Sequence, residues 1–167
     1  MNLNLLFALT LAFPVLAGLL AGVLPCFRKH RTACRVFTGI ALVLTSAGMI
    51  FSAIRCRGEE LVLWQLTREI PVLLKMDDLS FVFTLLVAVM WPLAGLYSFE
   101  YMDHEKEEYR FDAFYLVTMG VLSALTQAGN LVTFYMFYEA MTLMTLPLVL
   151  IADETILERI FLPEMLT

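Results

Sequence analysis

The chain has 167 residues, of which 60% are hydrophobic and only 16% charged, with a mean hydropathy of +0.81. That composition excludes a soluble globular domain, and without a basic stripe carrying interleaved aromatics it excludes nucleic-acid recognition. The net charge of −5 is scattered over connecting segments and points to no partner. Cys26, Cys34 and Cys56 form no CxxC pair, and His30 and His104 stand far apart. Neither a metal site nor a disulfide framework is expected, and no cofactor motif is present.

The N-terminal MNLNLLFALTLAF lacks the basic region of a secretory signal, so the apolar run over residues 3–27 reads as a retained first span. Pro14 removes one backbone hydrogen bond within it, and Gly18 and Gly22 give the small-xxx-small spacing of closely packed helices. Arg28, Lys29, Arg31 and Arg35, with His30 among them, form a basic cluster. By the positive-inside rule it places the following connection in the cytoplasm and the N-terminus outside.

The second span, 36–54, is uncharged and rich in small and hydroxyl residues. It leads into the longest extramembrane connection before the next span. LVLWQL (61–66) predicts a short strand or hairpin, with Trp64 suited to the interfacial aromatic belt. The VLLKM stretch after Pro71 is too short to span and is expected to lie against the membrane surface. Asp77 and Asp78 precede the third span, 79–99, where one of them is expected to cap the free N–H groups. Trp91-Pro92 marks a kink.

EYMDHEKEEYRFD then forms an inner loop carrying six carboxylates against Lys106 and Arg110. In this topology the inner loops and tail hold seven Lys/Arg and the outer loop four, which supports the orientation. The fourth span is 113–128. A tight turn at Gly129-Asn130 makes it an antiparallel neighbour of the fifth, 130–151.

That fifth span, NLVTFYMFYEAMTLMTLPLVLI, carries the one feature with evident chemistry. Glu139 lies near the middle of a run long enough to cross the ~20-residue hydrocarbon core. Its charge there costs roughly 2.5–3.5 kcal/mol on insertion scales, so it is expected to face protein or a water-filled path. Helical spacing brings Tyr135 and Thr142 to the carboxylate, and Pro147 frees the carbonyl of Leu143. The blander reading is a protonated Glu bonding between packed helices. The expectation is an all-α polytopic membrane protein of about five spans. It forms a single transmembrane unit (1–151), with its N-terminus outside and a charged cytoplasmic tail (152–167).

Four stretches in order, MDDLS (76–80), LYSFEYM (96–102), Arg110-Phe111 and FYEAMTL (137–143), resemble the leading helices of the antiporter-like subunits of respiratory complex I. Similar modules occur in Mrp-type cation/proton antiporters and membrane-bound hydrogenases. The resemblance covers roughly residues 1–150 and is strongest from 76 onward.

It implies proton or Na+/H+ translocation by a non-catalytic membrane subunit of an oxidoreductase or antiporter complex in a prokaryotic inner membrane. Glu139 matches the family's fifth-helix glutamate, the proton relay, which pairs with a lysine on a later helix. Tyr138 stands where many members have tryptophan. No predicted span here contains a lysine, so the resemblance implies a split or truncated subunit that needs a partner chain with the later, lysine-bearing helices. The alternative is a structural or assembly subunit, or a truncated product, that moves no ions.

Overall fold

In a computed structural model the described residues are 3–23, 31–67, 70–101 and 108–165, with side chains described within 8–23, 32–66, 70–100 and 109–150. They form five helices and one hairpin: α1 (Leu3–Val23), α2 (Arg31–Arg55), β1 (Glu60–Thr67), β2 (Ile70–Lys75), α3 (Asp78–Tyr101), α4 (Glu108–Thr126) and α5 (Leu131–Met165). Stretches in α2, α3 and α5 (Thr32–Arg55, Asp78–Glu100 and Leu131–Leu150) are long and apolar enough to cross a membrane, and α1 adds a shorter apolar helix. The protein is an all-α membrane protein with a small β appendage. Cys26, His30, His104 and most of the basic cluster and acidic loop lie outside the described residues.

Helix α4 is the hub, packing against all four other helices, most extensively α1. Glycines set that contact. A Cβ at Gly18 would stand 2.6 Å from the Ala113 carbonyl oxygen, and one at Gly120 would stand 2.5 Å from Val15 Cγ2. The α1 and α4 backbones therefore touch where a methyl group would hold them apart. Leu42, Met49, Leu116 and Met119, together with Val87 and Tyr115, fill the α2–α3–α4 core.

One end of the bundle is closed by the hairpin. Strands β1 and β2 pair antiparallel, from Glu60 opposite Lys75 to Thr67 opposite Ile70, with two irregularities in register. The stretch after Pro71 is thus a strand and not a surface segment, as the sequence had suggested. Its alternation buries Val72 and Leu74, with Met76 just beyond, against the helix ends, a pattern that a flat surface segment has no reason to keep.

The free edge of β2 is taken up by the α4–α5 turn, where Lys75 N donates to Gln127 O (2.7 Å) and Gly129 N to Leu73 O (2.8 Å). Gly129 is needed there, since a Cβ would meet Leu73 and Lys75 side chains at 3.0 Å. Asn130 fastens the same junction. Its Oδ1 accepts from Thr133 N (2.7 Å), capping α5, and its Nδ2 donates to the Pro71 carbonyl (2.7 Å).

Asp77 is the α3 cap, its Oδ1 accepting from Ser80 N at 2.7 Å, as expected from the sequence. Asp78 instead pairs with Arg57, whose guanidinium also lies over Phe81.

Two helices extend beyond the apolar spans expected within them: α4 begins at Glu108 and α5 runs to Met165, so residues 152–165 continue a helix. ADETILER holds good helix formers and no glycine to end the helix.

Candidate functional site

The α5 helix is held from one end and along one side. Asn130 and Thr133 tie its first turn to the hairpin, with Thr133 Oγ1 accepting from Leu73 N at 3.0 Å, and α4 covers one face. The opposite face is open. Phe134, Tyr135, Tyr138, Leu143, Leu146 and Val149 are all exposed, and Glu139 is exposed in their midst. The spacing 135, 138, 139, 142, 146 follows one side of a 3.6-residue helix. The carboxylate therefore stands in an apolar surface that no described element covers.

Tyr135 lies one turn before Glu139, near enough for its hydroxyl to interact with the Glu139 side chain. Tyr138 stacks on Phe134, their ring centroids 6.4 Å apart, which flanks the carboxylate with an aromatic pair. Thr142 is on the same face, but its hydroxyl donates to the Glu139 main-chain carbonyl (2.8 Å) and contacts that of Tyr138 (3.3 Å). The structure thus brings Tyr135 to the carboxylate, leaves Tyr138 beside it, and turns Thr142 back onto the helix.

Pro147 lines a crevice of about 540 Å³ between α1, α4 and α5, together with Gly18, Gly22, Tyr109 and Arg110. Among the described residues no group of three or more His, Cys, Asp or Glu is arranged to hold a metal.

A second carboxylate was missed in the sequence. Asp112 was read as part of the acidic loop, yet it is 2% exposed. It lies on the inner face of α4, where Thr38 Oγ1 (3.3 Å) and Cys34 Sγ (3.7 Å) both donate to its Oδ2. The signal was present in the spacing. Asp112, Tyr115, Leu116, Met119 and Ser123 form an i, i+3, i+4, i+7 stripe, and all five are buried.

Comparison with known proteins agrees with this architecture. The family model for the N-terminus of chain 5 of NADH-ubiquinone oxidoreductase (complex I) matches residues 65–112, from late β1 to Asp112. The chain is also 28% identical over 141 residues to the chloroplastic NAD(P)H-quinone oxidoreductase subunit 5 of Amborella trichopoda. That alignment covers 78% of this chain but only 19% of the relative.

Proposed function

We propose, for a chain that is an antiporter-like relative of complex I subunit 5, that it supplies leading helices of a proton- or Na+/H+-translocating membrane subunit, with Glu139 as the intramembrane proton relay. The observation that carries this reading is the open α5 face. A carboxylate exposed on an apolar, membrane-length helix costs roughly 2.5–3.5 kcal/mol if lipid covers it. Protein that brings a cation or a hydrated path removes that cost, and the same surroundings bring the carboxyl into the range where it takes up and releases protons.

The partners are further membrane subunits, including one with lysine-bearing helices that pack over Tyr135, Tyr138 and Glu139. The chain works as one transmembrane unit (1–151) in a prokaryotic inner membrane, N-terminus outside. Residues 152–167 lie on the cytoplasmic side, and redox chemistry is left to other subunits. The open-face argument is common to transporting complexes of the respiratory, Mrp and hydrogenase types.

The test is Glu139→Gln in the assembled complex. Proton movement is lost while the set of co-purifying subunits stays the same. Unchanged proton movement would leave α5 a packing element and support the structural or assembly reading instead.

A further inference from the structure

Helices α1 and α5 each pack on α4 and scarcely on one another, which leaves a furrow between them along α4. The crevice of about 540 Å³ opens in that furrow, walled by all three helices.

Its level in the bundle follows from the chain. The hairpin and the Gly129 turn sit at the C-terminal end of α4, whereas Tyr109 and Arg110 belong to its first turn. The helix has 19 residues, about 28 Å at roughly 1.5 Å per residue. That is close to the ~30 Å of a hydrocarbon core. The apolar stretch of α5 ends at Leu150, which lies on the crevice wall. The crevice therefore occupies the last turns of the membrane-spanning region, and Arg110 stands where headgroups and water begin.

Its lining is divided in the same way. Leu19, Phe114, Val117 and Leu150 give apolar walls, and among the described residues lining it only Tyr109 and Arg110 are polar. Gly22 and Ala113 keep the floor low, since a Cβ at Gly22 would stand 3.3 Å from the Ala113 Cβ. Arg110 is exposed and Tyr109 half-buried. A helix is about 10–12 Å across, so this volume would hold roughly one turn of it. An unbranched hydrocarbon chain is far narrower and fits along the walls.

We propose that the crevice between α1, α4 and α5 is a phospholipid site, in which an acyl chain lies against Gly22, Ala113, Phe114 and Val117 and the headgroup phosphate accepts hydrogen bonds from Arg110. Apolar walls with one or two polar groups at the mouth are what such a ligand requires, and basic pockets between membrane helices hold lipid headgroups. A guanidinium has five N–H donors, enough to serve a phosphate alongside its interactions within the protein. Its place in the first turn of α4 adds the positive end of the helix dipole.

The sequence brings both signs of charge to this end of the bundle. Arg28, Lys29 and Arg31 follow the last residues of α1, and Glu105, Glu107 and Glu108 precede Arg110. The recognised group is therefore the phosphate that zwitterionic and anionic phospholipids share, and not the net charge of the headgroup. The proposal is independent of the role given to Glu139.

The experiment is native mass spectrometry of the full chain released from bilayers of phosphatidylethanolamine, of phosphatidylglycerol, or of digalactosyl diacylglycerol, which has no phosphate, with matched acyl chains. The expected result is one lipid retained per chain from either phospholipid. Retention of the glycolipid is lower by about tenfold, the least that a charge-assisted hydrogen bond contributes. Arg110→Gln brings phospholipid retention down to the glycolipid level, and Arg110→Lys, which keeps the charge, retains most of it. A purely structural Arg110 would leave the preference for phosphate unmoved.

The preference is read on the unaltered chain, so it decides the matter even where Arg110→Gln fails to accumulate. Glycolipid held as well as phospholipid overturns the proposal, as does phospholipid retention unchanged in Arg110→Gln. A chain that leaves every bilayer without lipid, alone or as a dimer, overturns it equally.

Discussion

Helices α4 and α5 are antiparallel neighbours, and each carries one carboxylate inside an apolar sequence, yet their surroundings are opposite. Asp112 is 2% exposed and receives two hydrogen bonds from α2. Glu139 is exposed on a face of α5 with nothing described against it. The more polar helix is the buried one. Helix α4 places Asp112, Thr118 and Ser123 inside the bundle, whereas only 6% of the apolar window of α5 is buried. In a membrane this inversion is what solvation demands, because polar groups are satisfied by neighbouring helices and apolar side chains lose nothing in lipid. A charge on the apolar helix is therefore the exception that calls for a partner.

The contrast yields experiments of decreasing size. The largest effect is functional. Glu139→Gln abolishes coupled proton movement, measured in vesicles of the assembled complex, without altering the fold of the bundle.

The next is structural and belongs to α4. Gly18→Leu drives a side chain into the Ala113 carbonyl and costs at least the 1–3 kcal/mol typical of overpacking, read as lost thermal stability in detergent. Residues 143 and 146 on the open α5 face tolerate apolar exchanges with no such loss in the isolated chain.

Asp112→Ala strands the Thr38 hydroxyl in a buried site and costs about 1–3 kcal/mol. Exchange of the exposed Tyr138 for Phe leaves the stability of the isolated chain unchanged.

The smaller effects lie at the hairpin end. Asp77→Ala removes the α3 cap and costs about 1 kcal/mol. Hydrogen bonds from the Ser80 and Leu79 amides hold the Asp77 carboxyl below its ordinary value of 3.8. Its contribution is therefore complete above that value and is lost as pH falls through the depressed one; a stability–pH titration of the Asp77→Ala variant lacks this acid loss. Lys75 has the opposite sign. Its bond to Glu60 raises it above 10.5, so its contribution is complete below that value and disappears as pH rises past the raised one. Both ends of this pair are solvent-exposed, and salt screens the effect towards zero.

Much of this was legible in the chain itself. Long apolar runs gave the helices, Asp77 the cap, Gly129-Asn130 the antiparallel α4–α5 turn, and LVLWQL the first strand. The second strand was hidden because Ile70–Lys75 is too short and too uniformly apolar to separate a strand from a surface segment. Its pairing with β1 and with the α4–α5 turn supplies what local sequence lacks.

Asp112 was obscured by its neighbours. Six carboxylates in thirteen residues read as one solvated loop, and only the helical stripe beginning at Asp112 distinguishes it from the rest. At the candidate relay, spacing put Tyr135 and Thr142 near Glu139, and Tyr138 came in only through the family resemblance. It could not give the direction of the Thr142 hydroxyl, which the main-chain carbonyl of Glu139 captures, a local competition common to threonine in helices.

The most direct test of the account is to map what touches the open face in native membranes. Single cysteines at positions 135, 138 and 142 are cross-linked, and the chains attached are identified by mass analysis; a cysteine at the buried position 116 serves as the internal control. The account predicts a single membrane chain joined at all three open-face positions, with a lysine inside one of its helices near the attachment point, and none joined at 116. Cross-links to lipid alone at 135, 138 and 142, in a complex that still moves protons, would contradict it.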